Sequence, residues 1–378
     1  MIKVRFDQFI KLQRGFDLPE SEIVSGPYPV VTSTSINGYH DTCKVSPPVV
    51  VTGRSGSLGV VQYIDEECWP LNTTLYVKDY KGNYPKYVYY YLKTLHLERF
   101  NAGAGVPTLN QNHLHSLKIQ IHDLEQQRVI GDLLYNYDDL IENNLARISL
   151  LEKMASDLHK EWFIRRKRDD WKTIKLSEFG YSVESGSRPK GGIDDTLDEG
   201  IPSLGAESIN SLGVFDYTNV KYIPHEFYSK MKRGHGRDND ILLYKDGAYI
   251  GKVTLFRNNF PFENYAVNEH VYLLRCLNPI YQNYLYFTLK LPQYFTFMQI
   301  INRNAAQPGL TQQDLDIIKL TLPDEDTINR FNDLITPILD QIFTLAKENL
   351  LLTKQRDLLL PRLMSGKLSV EPLLSETA

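Results

Sequence analysis

The sequence predicts an α/β (α+β) protein made of two tandem globular domains, each followed by a long helix, the two helices pairing as an antiparallel coiled coil. Three observations carry this expectation. The chain repeats itself in order: PVVTSTSIN from Pro29 matches PSLGAESIN from Pro202 at an offset of 173. NTTLYV from Asn72 matches NEHVYL from Asn268 at 196, and VPTLNQNHLHSLKIQI from Val106 matches QPGLTQQDLDIIKLTL from Gln307 at 201. Each copy opens with short β-rich runs between Gly, Ser, Asn and Pro turns, and each closes in an apolar seam stepping by three and four.

In chain order, residues 1–123 form the first domain, with strands expected at Val49-Val50-Val51, Val60–Ile64 and Thr74–Val77 and a Tyr-rich helix at Tyr87–Leu97. Residues 124–168 hold the first long helix and a linker; Asp123 and Gln126 resemble a capping box at its start. Its seam runs through Ile130, Leu134, Tyr137, Ile141, Leu145, Ile148, Leu151, Ala155, Leu158 and Trp162. Residues 169–323 form the second domain, with strands at Ile241–Tyr244, Val253–Phe256 and Val271–Leu274 and a helix at Tyr281–Leu291. Residues 324–378 hold the second helix, with Ile328, Phe331, Ile335, Ile338, Ile342, Leu345, Leu352, Leu359 and Leu363 on its seam. Pro337 and Pro361 fall inside it and are expected to kink or end it, since proline removes a backbone donor. The competing use of the seams is that each helix caps the core of its own domain.

Composition sets bounds. A net charge of −4 and a pI near 6.2 do not describe a protein that binds nucleic acid by phosphate neutralisation alone, so any such affinity must be local or come from a partner. The acid excess sits mostly in residues 324–378, with 6 Lys+Arg against 9 Asp+Glu. Three scattered cysteines, no signal-like N-terminus and no apolar span place the protein in the cytoplasm, away from membranes.

Catalytic motifs are missing. Pro47-Pro48 is preceded by Ser46 and followed by Val49, unlike a base-holding methyltransferase loop. NAGAGV (Asn101–Val106) follows a helix and reads as a loop; GAYIGKV (Gly247–Val253) is one residue short of a phosphate loop and reads as a hairpin turn. His113 and His115 lack ligands at metal spacing. The expectation is a non-enzyme that binds no metal or cofactor.

The ordered series resembles the specificity subunit of type I restriction-modification enzymes over nearly the whole chain. The residues that carry the likeness are the opening strands (Gly26–Asn37, Gly200–Asn210) and the Gly-rich hairpins (Gly53–Gly59, Gly247–Gly251). To these add the proline loops (Pro107–Leu114, Pro308–Leu315), the helix start Leu124–Arg128 and the C-terminal LLLPRLMSGKL from Leu358. The second helix start departs from the pattern, with Glu325-Asp326-Thr327 in place of Glu125-Gln126-Gln127. The resemblance implies that each domain is a target-recognition domain reading one half of a split, asymmetric site in double-stranded DNA. It implies further that the helices set the gap and dock two methyltransferase subunits carrying S-adenosylmethionine, joined by restriction and translocase subunits. The alternative is a coiled-coil adaptor presenting two protein-binding domains.

Base readout needs paired donors and acceptors on loops held by a sheet. In the first domain these are Thr32, Ser33, Thr34, Asn37, Arg54, Ser55, Ser57 and Asn110. In the second they are Lys190, Glu207, Ser208, Asn210, Lys245, Tyr249, Arg303, Asn304 and Gln307. Against this stands the reading that residues shared by both copies (Ser35 and Ser208, Asn37 and Asn210, Asn72 and Asn268) cap turns, because base readers should differ between domains. The basic run Lys230–Arg237 is a candidate phosphate grip, whereas Arg165–Arg168 reads as a solvated linker, and Tyr87–Tyr91 reads as core.

Overall fold

A computed structural model describes residues 1–103, 105–193, 196–301 and 309–371. They divide into two compact units, Met1–Ile141 with Leu352–Ala378, and Glu142–Leu351.

The first unit runs β1 (Ile2–Arg5), α1 (Phe6–Phe9), β2 (Lys11–Arg14), β3 (Tyr28–Val31), β4 (Ile36–His40), β5 (Val49–Gly53) and β6 (Val61–Ile64). It continues through β7 (Trp69–Pro70), β8 (Thr74–Asp79), α2 (Pro85–Thr94), α3 (Gln111–His115), β9 (Lys118–Ile121) and the first half of α4 (Leu124–Lys160). An antiparallel sheet has the order β2-β8-β5-β6, a small sheet the order β4-β3-β7, and β1 pairs with β9. Val50 faces one core, with Phe9, Tyr87 and Leu134, while Val49 and Val51 face another, with Val31 and Tyr76. A strand covered on both faces has no reason to alternate, which is why β5 reads as an unbroken apolar run.

The second unit repeats the plan with β10 (Lys172–Lys175), α5 (Leu176–Phe179), β11 (Tyr181–Ser185), β12 (Ile201–Leu204), β13 (Tyr222–Ile223), α6 (His225–Lys230) and β14 (Ile241–Tyr244). There follow β15 (Val253–Leu255), β16 (Ala266–Val267), β17 (Val271–Cys276), α7 (Gln282–Leu289), α8 (Pro292–Ile301), α9 (Gln312–Asp316), β18 (Lys319–Leu322) and α10 (Glu325–Met364). Its sheets have the orders β11-β17-β14-β15, β13-β12-β16 and β10-β18, strand for strand those of the first unit. The offset of 201 holds from α3 and α9 through β9 and β18 to the starts of α4 and α10. The match of Asn72 with Asn268 needs correction by one residue. Val31 with Pro70 in the first unit corresponds to Leu204 with Val267 in the second, an offset of 197 that aligns Asn268 with Leu71. In a strand that slip exchanges the two faces, so sequence identity at Asn72 and Asn268 is coincidental.

The helix starts agree although their sequences differ. Asp123 Oδ1 accepts from Gln126 N at 2.9 Å, and Asp324 Oδ1 from Thr327 N at 2.9 Å. That bond, with the Trp171 indole and the Thr327 hydroxyl, holds the Asp324 carboxyl down to about 2. In the second unit α4 and α10 run antiparallel: Asn144 meets Asn349, and further along His159 meets Phe331. The inward position between Ile141 and Ile148 belongs to Asn144, 7% exposed, and not to Leu145, which is 41% exposed. Asn144 Nδ2 donates to Asn349 Oδ1 at 3.0 Å, so two polar side chains occupy facing seam positions.

The expected breaks at the prolines do not occur; α10 is continuous from Glu325 to Met364. Pro337 lies between Ile335 and Leu339, both fully buried, and their packing outweighs one missing hydrogen bond. Pro361 sits in the last turn, where its carbonyl still accepts from Ser365 N at 3.2 Å. Both uses of the seams are realised, since Ile130 and Leu134 are buried in the core of the first unit and Ile328 and Phe331 in that of the second.

Two constraints on stability follow from this packing. A Cβ on Gly186 would lie 1.7 Å from Val267 O, and one on Gly15 2.2 Å from Leu71 O, because both chains pass bare against the small sheet. Gly186→Ala is expected to lower stability by about 1–3 kcal/mol, read as a lower urea midpoint at unchanged m. His159 is enclosed by Phe163, Tyr284, Phe287 and Phe331, its Nε2 3.0 Å from Thr288 Oγ1. Burial pushes its pKa from 6.5 to about 3. Between those values the unfolded chain binds the proton and the folded one does not. Stability should therefore fall as pH drops below 6.5, by at most about 1.4 kcal/mol per unit. Melting temperatures recorded across this range should lose that slope in His159→Leu.

Candidate nucleic-acid interface

In the first unit the turn after β3, the β5–β6 hairpin and the segment before α3 meet at one edge. Ser33 lies beside Gly53, where a Cβ would sit 3.2 Å from the serine Cβ. Ser55 bridges to Thr108, and Leu109 N donates to Arg54 O at 2.8 Å. Ser33, Arg54, Ser55, Ser57 and Asn110 are thereby brought together, with Thr32 and Thr34 on the adjoining turn. Asn37 stands on β4, at the outer edge of the small sheet.

Several of these groups have structural employment. Thr32 Oγ1 donates to Ser35 O at 2.7 Å and closes its turn, and Asn110 Oδ1 accepts from Asn112 N at 2.9 Å to cap α3. Thr34, Asn37 and Ser57 are exposed.

Arg54 and Lys245 prove to be equivalent. Arg54 N donates to Thr73 O and its carbonyl accepts from Leu109; Lys245 N donates to His270 O and its carbonyl accepts from Leu310. Their side chains even use the same acceptor, Arg54 Nη1 reaching Asn72 O at 3.5 Å and Lys245 Nζ reaching Glu269 O at 3.3 Å. Lys245 also lies 5.0 Å from the Tyr272 ring centroid. Both cations are half-buried and each spends one donor on bracing the frame. Ser208 is 8% exposed, beneath its own turn. Asn210 is half-buried and donates to Glu207 O at 3.3 Å, closing that turn.

Lys190, Glu207 and Tyr249 are exposed, Tyr249 at the tip of the β14–β15 hairpin. Arg303, Asn304 and Gln307 lie outside the described residues. In the basic run, Lys230 pairs with Glu226 at 2.5 Å and His235 Nε2 lies 3.0 Å from Tyr228 O, while Lys232, Arg233 and Arg237 are exposed. At the linker, Arg165 and Arg166 pair with Glu161, and Arg168 with Asp170 and Asp324. His115 Nε2 accepts from Leu12 N at 3.2 Å, and Tyr87 and Tyr90 are fully buried.

The sequence reading missed a cleft of about 480 Å³ on the second unit, lined by Arg188, Ser203, Glu207, Tyr244, Asp246 and His270 among others. Arg188 Nε pairs with Glu269 at 2.9 Å, and His270 Nδ1 lies 3.3 Å from Asp246 Oδ2. Ser203, 3% exposed, has a hydroxyl without a hydrogen-bond partner. A buried hydroxyl left unpaired is costly, and here it faces a polar space that can supply the missing bond. Carboxylates accept from the exocyclic amines of bases, and a hydroxyl both donates and accepts. The signal was present in the repeat. At the offset of 173 Ser203 replaces Val30 and Glu207 replaces Thr34, so the shared strand carries different chemistry in each copy.

Among the described residues there is no cluster of three or more His, Cys, Asp or Glu side chains able to hold a metal, and no helix long and apolar enough to cross a membrane.

Known proteins share this arrangement. The family described as the type I restriction modification DNA specificity domain matches residues 3–153 and 168–354. A type I restriction enzyme MjaIX specificity subunit from Methanocaldococcus jannaschii is 26% identical over 317 residues, covering 77% of this chain and 71% of the relative. The MjaVIII specificity subunit of the same organism is 24% identical over 181 residues, 44% of this chain and 42% of that one. In fold, the crystal structure of a type I restriction-modification S subunit from M. genitalium superimposes with a TM-score of 0.64 at 19% identity, covering 96% of each chain. With two family matches spanning most of its length, the chain belongs to the type I restriction-modification DNA specificity family, the DNA-recognition and non-catalytic part of such systems.

Proposed function

We propose that this chain is the specificity subunit of a multi-subunit DNA methyltransferase and endonuclease, each unit reading one half of a bipartite, asymmetric target in double-stranded DNA. One observation carries the reading: the units share a frame down to individual backbone hydrogen bonds, yet differ at the positions that line the cleft of the second unit. Val30, Thr34, Leu71 and Thr73 of the first unit stand where the second has Ser203, Glu207, Asn268 and His270. A common scaffold with different donors and acceptors suits two unlike half-sites. The long helices would set the gap between half-sites and dock two methyltransferase subunits, which bring S-adenosylmethionine; restriction and translocase subunits would join the same assembly in the cytoplasm. This chain supplies sequence choice and no reacting group. A protein-binding adaptor leaves the duplicated hairpins and the polar cleft without a use.

Co-expression with the methyltransferase subunit of the same operon, followed by long-read mapping of adenine methylation, should return a single split motif with unlike halves. The double substitution Ser203→Val with Glu207→Gln should relax or change one half by roughly 10- to 100-fold in discrimination, about 1–3 kcal/mol, and leave the other intact. Methylation indifferent to this chain, despite a stable complex, would sink the reading.

A further inference from the structure

The short ladders β1–β9 and β10–β18 take no part in the base-reading edge, and they repeat a feature that strand pairing disfavours. Arg5 stands directly opposite Lys118, and Lys175 directly opposite Lys319. Phe6 N donates to Leu117 O at 2.9 Å and Leu176 N to Ile318 O at 2.8 Å. These bonds make each cation pair a non-hydrogen-bonded one, where facing Cα atoms approach to about 4.5 Å and side chains are closest. Like charges directly opposite destabilise a ladder. The arrangement nonetheless occurs in both copies, at the same register.

The rest of the face is chemically uniform. Strand alternation puts Lys3, Arg5, Lys118 and Gln120 on one side of the first ladder, and Thr173, Lys175, Lys319 and Thr321 on the same side of the second. All eight side chains can donate a hydrogen bond and none is acidic. On the other side Ile119, Ile121 and Leu320 are buried against the core, while Ile2 and Lys172 at the strand ends are exposed. All four opposed cations are exposed. Asp7 takes one edge of the Arg5 guanidinium at 2.8 Å; Lys118, Lys175 and Lys319 have no carboxylate partner among the described residues. In the first unit the face lines an open depression of about 430 Å³ formed by Lys3, Arg5, Gln8, Lys118 and Gln120.

We infer that each ladder is a phosphate seat, Arg5–Lys118 in one unit and Lys175–Lys319 in the other, gripping the DNA backbone without regard to sequence. An anion between two facing cations turns their repulsion into a bidentate attraction, which accounts for a pair that is unfavourable in the free chain. The inference rests on the DNA-recognition reading and supplies what a chain of net charge −4 otherwise lacks, cations placed as pairs where a backbone can use both.

The test uses the full chain assembled with its methyltransferase subunits, binding duplexes with and without the target across a salt series. Lys118→Gln and Lys319→Gln should each reduce the slope of log affinity against log salt by about 0.9, and the double variant by about 1.8. Affinity should fall by the same factor on both duplexes, and the methylated motif should not change. Because each substitution relieves like-charge repulsion, melting temperature should hold or rise, which separates a lost contact from a damaged fold. An unchanged salt slope would overturn the seats while leaving base recognition standing. Loss of assembly with the methyltransferase at unchanged DNA affinity would overturn them in favour of an acidic protein partner. Absence of any salt-sensitive binding by the wild-type complex would overturn the recognition reading itself.

Discussion

The fold depends on a sharing of helices between cores. Neither globular unit closes its hydrophobic interior with its own strands. In the first, Ile130 and Leu134 of α4 and Leu363 of α10 are buried with Phe6, Tyr87 and Val50. In the second, Ile148 and Ala155 of α4 join Ile328, Phe331 and Ile335 of α10 against α7 and the sheet. Each long helix thus contributes to both units, and removing either would expose apolar surface in both. Fully burying a large aliphatic or aromatic side chain is worth about 1.5–3 kcal/mol, so the few helix positions named here rival the net stability of a typical domain.

On that base the chain solves one architectural problem twice. The backbone bonds at Arg54 and Lys245, the bare glycines Gly15 and Gly186 and the capping aspartates Asp123 and Asp324 are the same devices at corresponding places. What differs is carried by side chains that these devices hold outward or around a cleft. A rigid frame lets a single exchange such as Val30 to Ser203 alter the lining of a cleft without moving the strand that carries it. Two recognition elements can then diverge in what they read while folding by one set of rules.

The electrostatics follow the same economy. Most cations near the cleft and the linker are matched by carboxylates: Arg188 by Glu269, Arg275 by Asp240 and Glu184, Arg168 by Asp170. Such pairs orient loops and leave little net field. Exposed cations without a carboxylate partner among the described residues include Lys118, Lys175 and Lys319 of the two terminal ladders and Lys232 and Arg233 of the basic segment, which is how a mildly acidic chain can still present cationic surface locally.

Much of this was legible in the residues. The ordered repeat gave the duplicated topology, because homologous strands keep their hydrophobic register even when their surfaces diverge. The apolar runs at Val49–Val51 and Ile241–Tyr244 located central strands, and the three-four seams located both helices, since burial needs that spacing whatever the partner. Tertiary contacts decided what spacing leaves open. Asn144, and not Leu145, points inward because Asn349 faces it across the helix pair. Asn268 aligns with Leu71, and not with Asn72, because parallel strand pairing sets the register. Lys245 and Ser208 look alike in a list of polar loop residues, but the fold gives Lys245 a hydrogen bond to Glu269 O and leaves Ser208 8% exposed. Pro337 fails to break its helix because packing on both sides exceeds one lost bond. Local sequence determines which segments can be strands and helices; which polar group remains free for a ligand depends on partners distant in sequence, and only the folded chain brings those together.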